Sequence, residues 1–150
     1  MKVTLEIQED CLKKLIEDNK NTIVGKGESS DVRERIKTYE DACHELGIKP
    51  MDESKMRSIG FTDAEIARRK IKEITEVLNE GWIADWNDRN QEKWLPRFYV
   101  LVSAGFTFYD ASYSCMNPNA GDASRLCFKS EELATYAGRQ FLALYKLTIY

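Results

Sequence analysis

The sequence predicts an α+β fold in which a small antiparallel three-stranded sheet, at about residues 97–128, packs against a C-terminal helix, at about residues 131–146, and against N-terminal helices. Residues 1–80 contain 15 Lys and Arg, 18 Asp and Glu and only two aromatic residues. Residues 81–150 contain seven Lys and Arg, seven Asp and Glu and 14 aromatic residues. Charges at helical spacing favour exposed helices, and aromatic residues favour strands. A length of 150 residues matches one domain, so residues 1–150 are predicted to form a single domain.

The first third of the chain gives weak structural signals. Residues Val3–Ile7 alternate between apolar and polar, which predicts a short strand, and the apolar residues at 11, 12, 15 and 16 share one helical face. Residues 19–31 contain two glycines and no periodicity, which predicts a loop.

Two capped helices follow. Thr38 is suited to cap a helix that runs to Leu46, and the glycine after it favours a C-terminal stop. Thr62 and Glu65 form a capping-box pattern that predicts a helix over about residues 63–80. Its basic residues lie four positions from acidic ones, as on a solvated helix face, and this argues against a nucleic-acid-binding patch there.

The second half carries the predicted sheet. Residues 82–96 form a polar loop with three tryptophans, and the three strands are predicted at residues 97–103, 106–115 and 124–128. Ser130 caps the last helix. Gly138 within that helix predicts a close approach to a strand or to another helix.

Composition excludes several protein classes. No apolar stretch approaches the ~20 residues that span a bilayer, and the N-terminus lacks an export signal, so we expect a cytoplasmic protein without membrane contact. The four cysteines form no C-x-x-C pair and are expected to be reduced and buried. The acidic loop 85–96 lacks the glycine and the final glutamate of a calcium-binding loop, so no metal and no cofactor are predicted.

The surplus of aromatic residues predicts a binding surface, although packing in the core is the simpler explanation for most of them. Alternation along the strands sends the aromatic side chains to both faces of a sheet. The predicted binding residues are Trp82, Trp86, Arg97, Tyr109, Tyr113 and Arg125. A protein partner or self-association is favoured, and a nucleic acid is also compatible because bases stack on aromatic rings and arginines contact phosphates.

The residues that usually carry catalysis form no recognisable constellation, which favours a non-enzymatic binding or accessory protein. One alternative is a small enzyme whose site is assembled in the 85–125 region from Asp85, Asp88, Tyr109, Asp110 and Arg125. A second alternative is a self-associating structural component.

Three segments carry a resemblance to a known family: residues 37–42, residues 78–87 and, most specifically, residues 124–141. Over about residues 37–146 the chain resembles a family of small uncharacterised proteins encoded by gut bacteria of the Bacteroides group and by their phages and prophages. The resemblance implies a setting in phage or mobile-element biology, and it implies no catalytic residues.

Overall fold

The computed structural model describes residues 31–103, 105–113 and 126–149. The described residues belong to one compact unit that begins at Asp31. The strand and helix predicted within residues 3–16, residues 19–30 of the predicted loop, and residues 124 and 125 lie outside them. The prediction of a single domain depends partly on residues 1–30 and stays a prediction.

Along the described chain, four helices precede one pair of strands and two helices follow it, which confirms the α+β prediction. The two strands, β1 (Trp94–Leu101) and β2 (Gly105–Tyr113), pair antiparallel as a hairpin. The helices are α1 (Val32–Arg35), α2 (Tyr39–Glu45), α3 (Glu53–Ser58), α4 (Asp63–Leu78), α5 (Glu131–Gln140) and α6 (Leu142–Ile149). In the described ranges, no helix combines the length and the apolar character needed to cross a bilayer.

The starts of α2 and α4 confirm the predicted caps. At α2 the Thr38 hydroxyl accepts a hydrogen bond from the Asp41 backbone N–H at 3.1 Å, and the Asp41 carboxylate accepts one from the Thr38 N–H at 2.8 Å. Thr62 and Glu65 make the same reciprocal pair at α4. Each box satisfies backbone donors that have no partner within the helix.

The prediction of a third strand is not supported by the structure. Among the described residues 126–128, only Phe128 pairs with β1, through two backbone hydrogen bonds to Trp94 of 2.8 and 2.9 Å. The buried side chain of Asn79 takes the neighbouring backbone groups: its amide donates to the Cys127 carbonyl at 2.9 Å and accepts from the Lys129 N–H at 3.0 Å. Hydrogen bonds from a side chain, which we call the backbone clamp, therefore take the place of ladder hydrogen bonds at these residues. α4 ends at Leu78, close to the predicted end near residue 80, and the backbone turns to positive φ at Glu80 and Gly81.

The C-terminal helix predicted over about residues 131–146 is two helices. Phe141 lies between them outside the helical region of backbone conformation, with φ −106° and ψ 27°, and its side chain is buried. On the two sides of this break, α5 packs mainly against the hairpin and α6 packs mainly against α4.

The core lies between the helices and the inner face of the hairpin. It includes apolar side chains from α1, α2, α4, α5 and α6, together with Phe128. Gly138 marks the tightest approach, because a Cβ atom there would lie 2.5 Å from the Phe108 ring and 2.9 Å from Pro96. The predicted close approach of this glycine to a strand is confirmed.

Candidate binding surface on the hairpin

The hairpin has a buried face and an exposed face, and a bulge lies beside the exposed aromatic residues. Arg97 pairs with Asp110, but the next residue, Phe98, pairs with Phe108, so Tyr109 is an extra residue in β2. A bulge of this kind re-aims the side chains beside it. Phe108 and Tyr109 point to opposite faces, as neighbours in a strand do. The bulge, however, lets Tyr109 and its other neighbour Asp110 share the exposed face with Arg97.

The buried face anchors the hairpin to the helices. The Phe98 ring lies 4.9 Å from the Phe106 ring and 4.7 Å from the ring of the buried Tyr145 in α6. The Arg139 guanidinium of α5 lies over the Phe108 ring at 5.3 Å. Aromatic pairs at these distances add to the energy of apolar burial. The strands are therefore held rigidly by their inner side chains.

The exposed face carries a compact group that we call the outer hairpin surface: Arg97, Tyr99, Tyr109 and Asp110. The tyrosine rings lie 4.2 Å apart, and the Arg97 guanidinium lies 5.5 Å from the Tyr109 ring. Both tyrosines are about half exposed, at 48% and 50%. This group combines flat aromatic area with two opposite charges.

The two charges on this surface are paired with each other. Arg97 donates from Nε and Nη2 to the two carboxylate oxygens of Asp110, at 2.6 and 2.5 Å. The hydrogen bonds lower the pKa of the Asp110 carboxyl and raise that of the Arg97 guanidinium, so both groups stay ionised at neutral pH. The neighbouring Tyr109 side chain raises the pKa of Tyr99, which keeps that phenol neutral. The surface thus has no net charge.

Apolar side chains continue this surface to the end of the hairpin. We call them the hairpin tip: Leu101, which follows Tyr99 on the same strand face, and Val102 in the turn. Leu101 is 45% exposed, and Val102 is fully exposed. Single exposed apolar residues are ordinary, but a contiguous group beside exposed aromatic rings is the usual sign of an interaction site.

The predicted binding residues do not form one surface. Arg97 and Tyr109 are brought together on the outer hairpin surface. Tyr113 lies at the other end of β2, where its ring is 5.6 Å from that of Trp94. Trp82 lines a cleft beside the end of α4. Arg125 lies outside the described residues.

Sequence reasoning omitted Tyr99, Asp110 and the tip from the predicted binding set. The two-residue spacing from Arg97 to Tyr99 could have placed both on one strand face. Asp110 had a role only in the alternative enzyme site. Its position opposite Arg97 depends on the register of the hairpin, which the sequence did not reveal.

Trp86 belongs to the packing of the 79–93 loop rather than to an open surface. The Lys93 side chain is completely buried, and its ammonium group lies over the Trp86 ring at 5.4 Å. Its Nζ donates to the backbone carbonyls of Asp88 and Gln91 at 3.0 and 2.7 Å. An internal ammonium group thus lies among the backbone carbonyls of the acidic loop at residues 85–96. The part of the chain that the structure describes contains no cluster of metal-ligating side chains.

The acidic residues of the alternative enzyme site have structural contacts. Asp85 and Asp88 accept hydrogen bonds from the backbone N–H groups of Asn87 and Asn90, at 2.9 and 2.8 Å, and so shape the loop. Asp110 is held by Arg97. These contacts do not bring the carboxylates together for acid–base chemistry.

The cleft beside α4 has a volume of about 330 Å³. It is lined by Lys72, Thr75, Glu76, Asn79, Gly81, Trp82, Ile83, Ala84 and Cys127. Burial raises the pKa of the Cys127 thiol, which disfavours the thiolate needed for nucleophilic chemistry. The Asn79 side chain is used in the backbone clamp. The cleft is concave, but the side chains that line it include none that is activated for catalysis.

Comparison with protein-family models, with curated proteins and with solved structures finds no match to the chain. The resemblance to small proteins of Bacteroides-group bacteria and their phages therefore stays a prediction. The outer hairpin surface is identified from its own geometry.

Proposed function

We propose that this protein is a non-enzymatic binding protein that contacts a protein partner through the outer hairpin surface and the hairpin tip. The observation that carries the proposal is the continuity of exposed aromatic and aliphatic side chains from Tyr109 through Tyr99 to Val102. Tyrosine and arginine are enriched in protein interfaces, and the energy of binding is concentrated in such residues.

The charges on the surface favour a protein over a nucleic acid. A phosphate contact needs a cation that is available to it, but Arg97 is engaged by both oxygens of Asp110. The carboxylate would also repel a phosphate at the same place. Lys129, which follows the β1-paired Phe128 in the chain, is paired with Glu80 at 2.9 Å. A neutral aromatic surface is better matched to another protein surface.

The support beneath the surface favours binding as well. Because Phe98 and Phe108 fix the strands against α5 and α6, the exposed tyrosines are presented by a rigid element. Little conformational entropy is then lost when a partner covers them. Combined with the resemblance to phage-related proteins, this supports an accessory role in which the chain binds another protein.

Site-specific photo-crosslinking tests this proposal. A benzophenone amino acid replaces Tyr99 in one variant and Phe61 in a control, because Phe61 is another exposed aromatic residue, on the loop before α4. After irradiation in cells, we expect the position-99 variant to form a protein adduct that Tyr109→Ser reduces. The control should form none of the same mass. Adducts with nucleic acid, or equal adducts at both positions, would contradict the proposal.

A further inference from the structure

We infer that the partner of the outer hairpin surface is a second copy of this chain, joined to the first as a symmetric dimer. The inference rests on the proposed function, since it names the occupant of the same surface. Two properties of the surface carry it: the arrangement of its charges and the size of its exposed area.

The charge arrangement is self-complementary. Arg97 and Asp110 lie side by side on the two strands, one of each sign, on an exposed face of no net charge. A two-fold axis through this face places the arginine of one copy opposite the aspartate of the other, and the converse contact follows by symmetry. A face with unpaired charges of one sign would repel its own copy. The pair is also well exposed, at 53% and 39% of the two side chains, so the intact ion pair of one copy can lie against the oppositely oriented pair of the other.

The aromatic residues fit the same symmetry. Tyr99 and Tyr109 lie next to the ion pair, so a two-fold axis there brings four tyrosine rings together. Tyrosine pairs with tyrosine readily, and residues that carry binding energy tend to meet others of the same kind. The hairpin tip of each copy then extends over the partner at the rim.

The available area sets the strength of such a dimer. From their fractional exposures, the two tyrosines and the two tip residues leave roughly 500 Å² of accessible surface per copy. Complete coverage of these residues in two copies would bury about 1,000 Å², which is the minimum expected of a specific protein interface. The expected dimer is therefore reversible and concentration-dependent.

A charge-exchange experiment tests the dimer. Arg97→Asp gives the surface two negative charges and Asp110→Arg gives it two positive charges, so each variant should repel itself. In sedimentation velocity from about 1 to about 300 µM, the wild type should shift from monomer to dimer, and each variant should dissociate at least about tenfold more readily. An equimolar mixture of the two variants should recover the dimer. High salt should reduce that recovery, since exposed charges are screened.

Arg33→Asp is the matched control, because Arg33 makes the same bidentate contact with an aspartate, Asp31, at the exposed start of α1. It should dimerise like the wild type. Circular dichroism melting verifies that every variant is folded, as expected when an exposed ion pair is lost.

Three results would overturn the inference: a wild type that stays monomeric throughout, charge variants that dimerise as well as the wild type, or a mixture that does not associate. The crosslinking experiment distinguishes failure of the dimer inference from failure of the proposed binding function. A monomeric protein that still gives a position-99 adduct with a different protein would refute the dimer and support the binding surface. A monomeric protein without such an adduct would refute both.

Discussion

Gly138 lies where α5 touches the hairpin, and its replacement by alanine tests whether the hairpin is as firmly seated as a binding surface requires. A Cβ atom at this position would lie 2.5 and 2.6 Å from two ring atoms of Phe108 and 2.9 Å from Cβ of Pro96. Carbon atoms in contact lie about 3.5–4.0 Å apart. Gly138→Ala must therefore displace the ring, the proline or the helix.

Two opposing effects determine the outcome. Alanine is a better helix former than glycine by about 1 kcal/mol, which favours the variant. Overpacking a well-filled core costs about 1–3 kcal/mol. The Phe108 ring cannot swing away freely, because Phe98 lies at its edge at 6.1 Å and Arg139 covers it at 5.3 Å. We expect the clash to dominate, with a net loss of up to about 2 kcal/mol in the free energy of unfolding.

Urea denaturation followed by circular dichroism measures this loss. A double-mutant cycle isolates the cause of this loss. In a Phe108→Leu background, where the side chain at position 108 is smaller and more flexible, Gly138→Ala should lower the free energy of unfolding much less than in the wild type. If Gly138→Ala instead stabilises the wild-type protein by the full helix-propensity difference, the close approach of α5 to the hairpin is wrong.

Three further substitutions test the interior. Asn79→Leu removes both hydrogen bonds that hold residues 127–129, and urea titration should show a loss of about 2–3 kcal/mol. Lys93→Met removes the ammonium donor from two backbone carbonyls, and the same titration should show a loss of about 2 kcal/mol. Burial raises the pKa of Tyr145, so its neutral phenol stabilises the fold below the ordinary tyrosine pKa of about 10, and this contribution is lost as the pH rises through the raised value. Tyr145→Phe should therefore move alkaline unfolding, followed by circular dichroism, to higher pH.

Each of these expectations has a result that contradicts it. Full stability of Asn79→Leu would mean that the clamp does not hold the chain after α4. Full stability of Lys93→Met would mean that the hydrogen bonds from the buried ammonium group to the two carbonyls do not stabilise the fold. Tyr145→Phe should lose little unfolding free energy at neutral pH, since the hydroxyl has no hydrogen-bond partner among the described residues. If the pH midpoint of alkaline unfolding is the same in Tyr145→Phe and the wild type, burial of the phenol does not govern alkaline stability.

The features that the sequence predicted well are those decided by neighbours along the chain. The N-cap at Thr38 and the capping box at Thr62 involve a residue and its third successor, so local spacing was sufficient to predict them. The hairpin followed from alternation on either side of a short turn. Gly138 was predictive because a glycine within a helix is costly unless a neighbour needs the space.

The features that the sequence missed depend on distant residues. In place of ladder hydrogen bonds of a third strand, the Cys127 carbonyl accepts a hydrogen bond from the side chain of Asn79, which is 48 residues away in the sequence. The break at Phe141 lies between a helix packed mainly against the hairpin and a helix packed mainly against α4, which are distant parts of the chain. Alternation predicted aromatic residues on both faces, but it did not predict the bulge that places Asp110 on the same face as its neighbour Tyr109. The burial of Lys93 beneath a polar loop had no local signal.

Hydroxyl-radical footprinting of tyrosine tests most directly whether the outer hairpin surface is covered by a protein. Tyr109 and Tyr113 lie in the same strand with nearly equal exposure, 50% and 48%, so Tyr113 is an internal reference. Oxidation is compared between dilute purified protein and cells that express it. We predict that oxidation of Tyr99 and Tyr109 falls in cells while that of Tyr113 is unchanged. Equal oxidation of all three tyrosines under both conditions would contradict a protein-binding role for this surface.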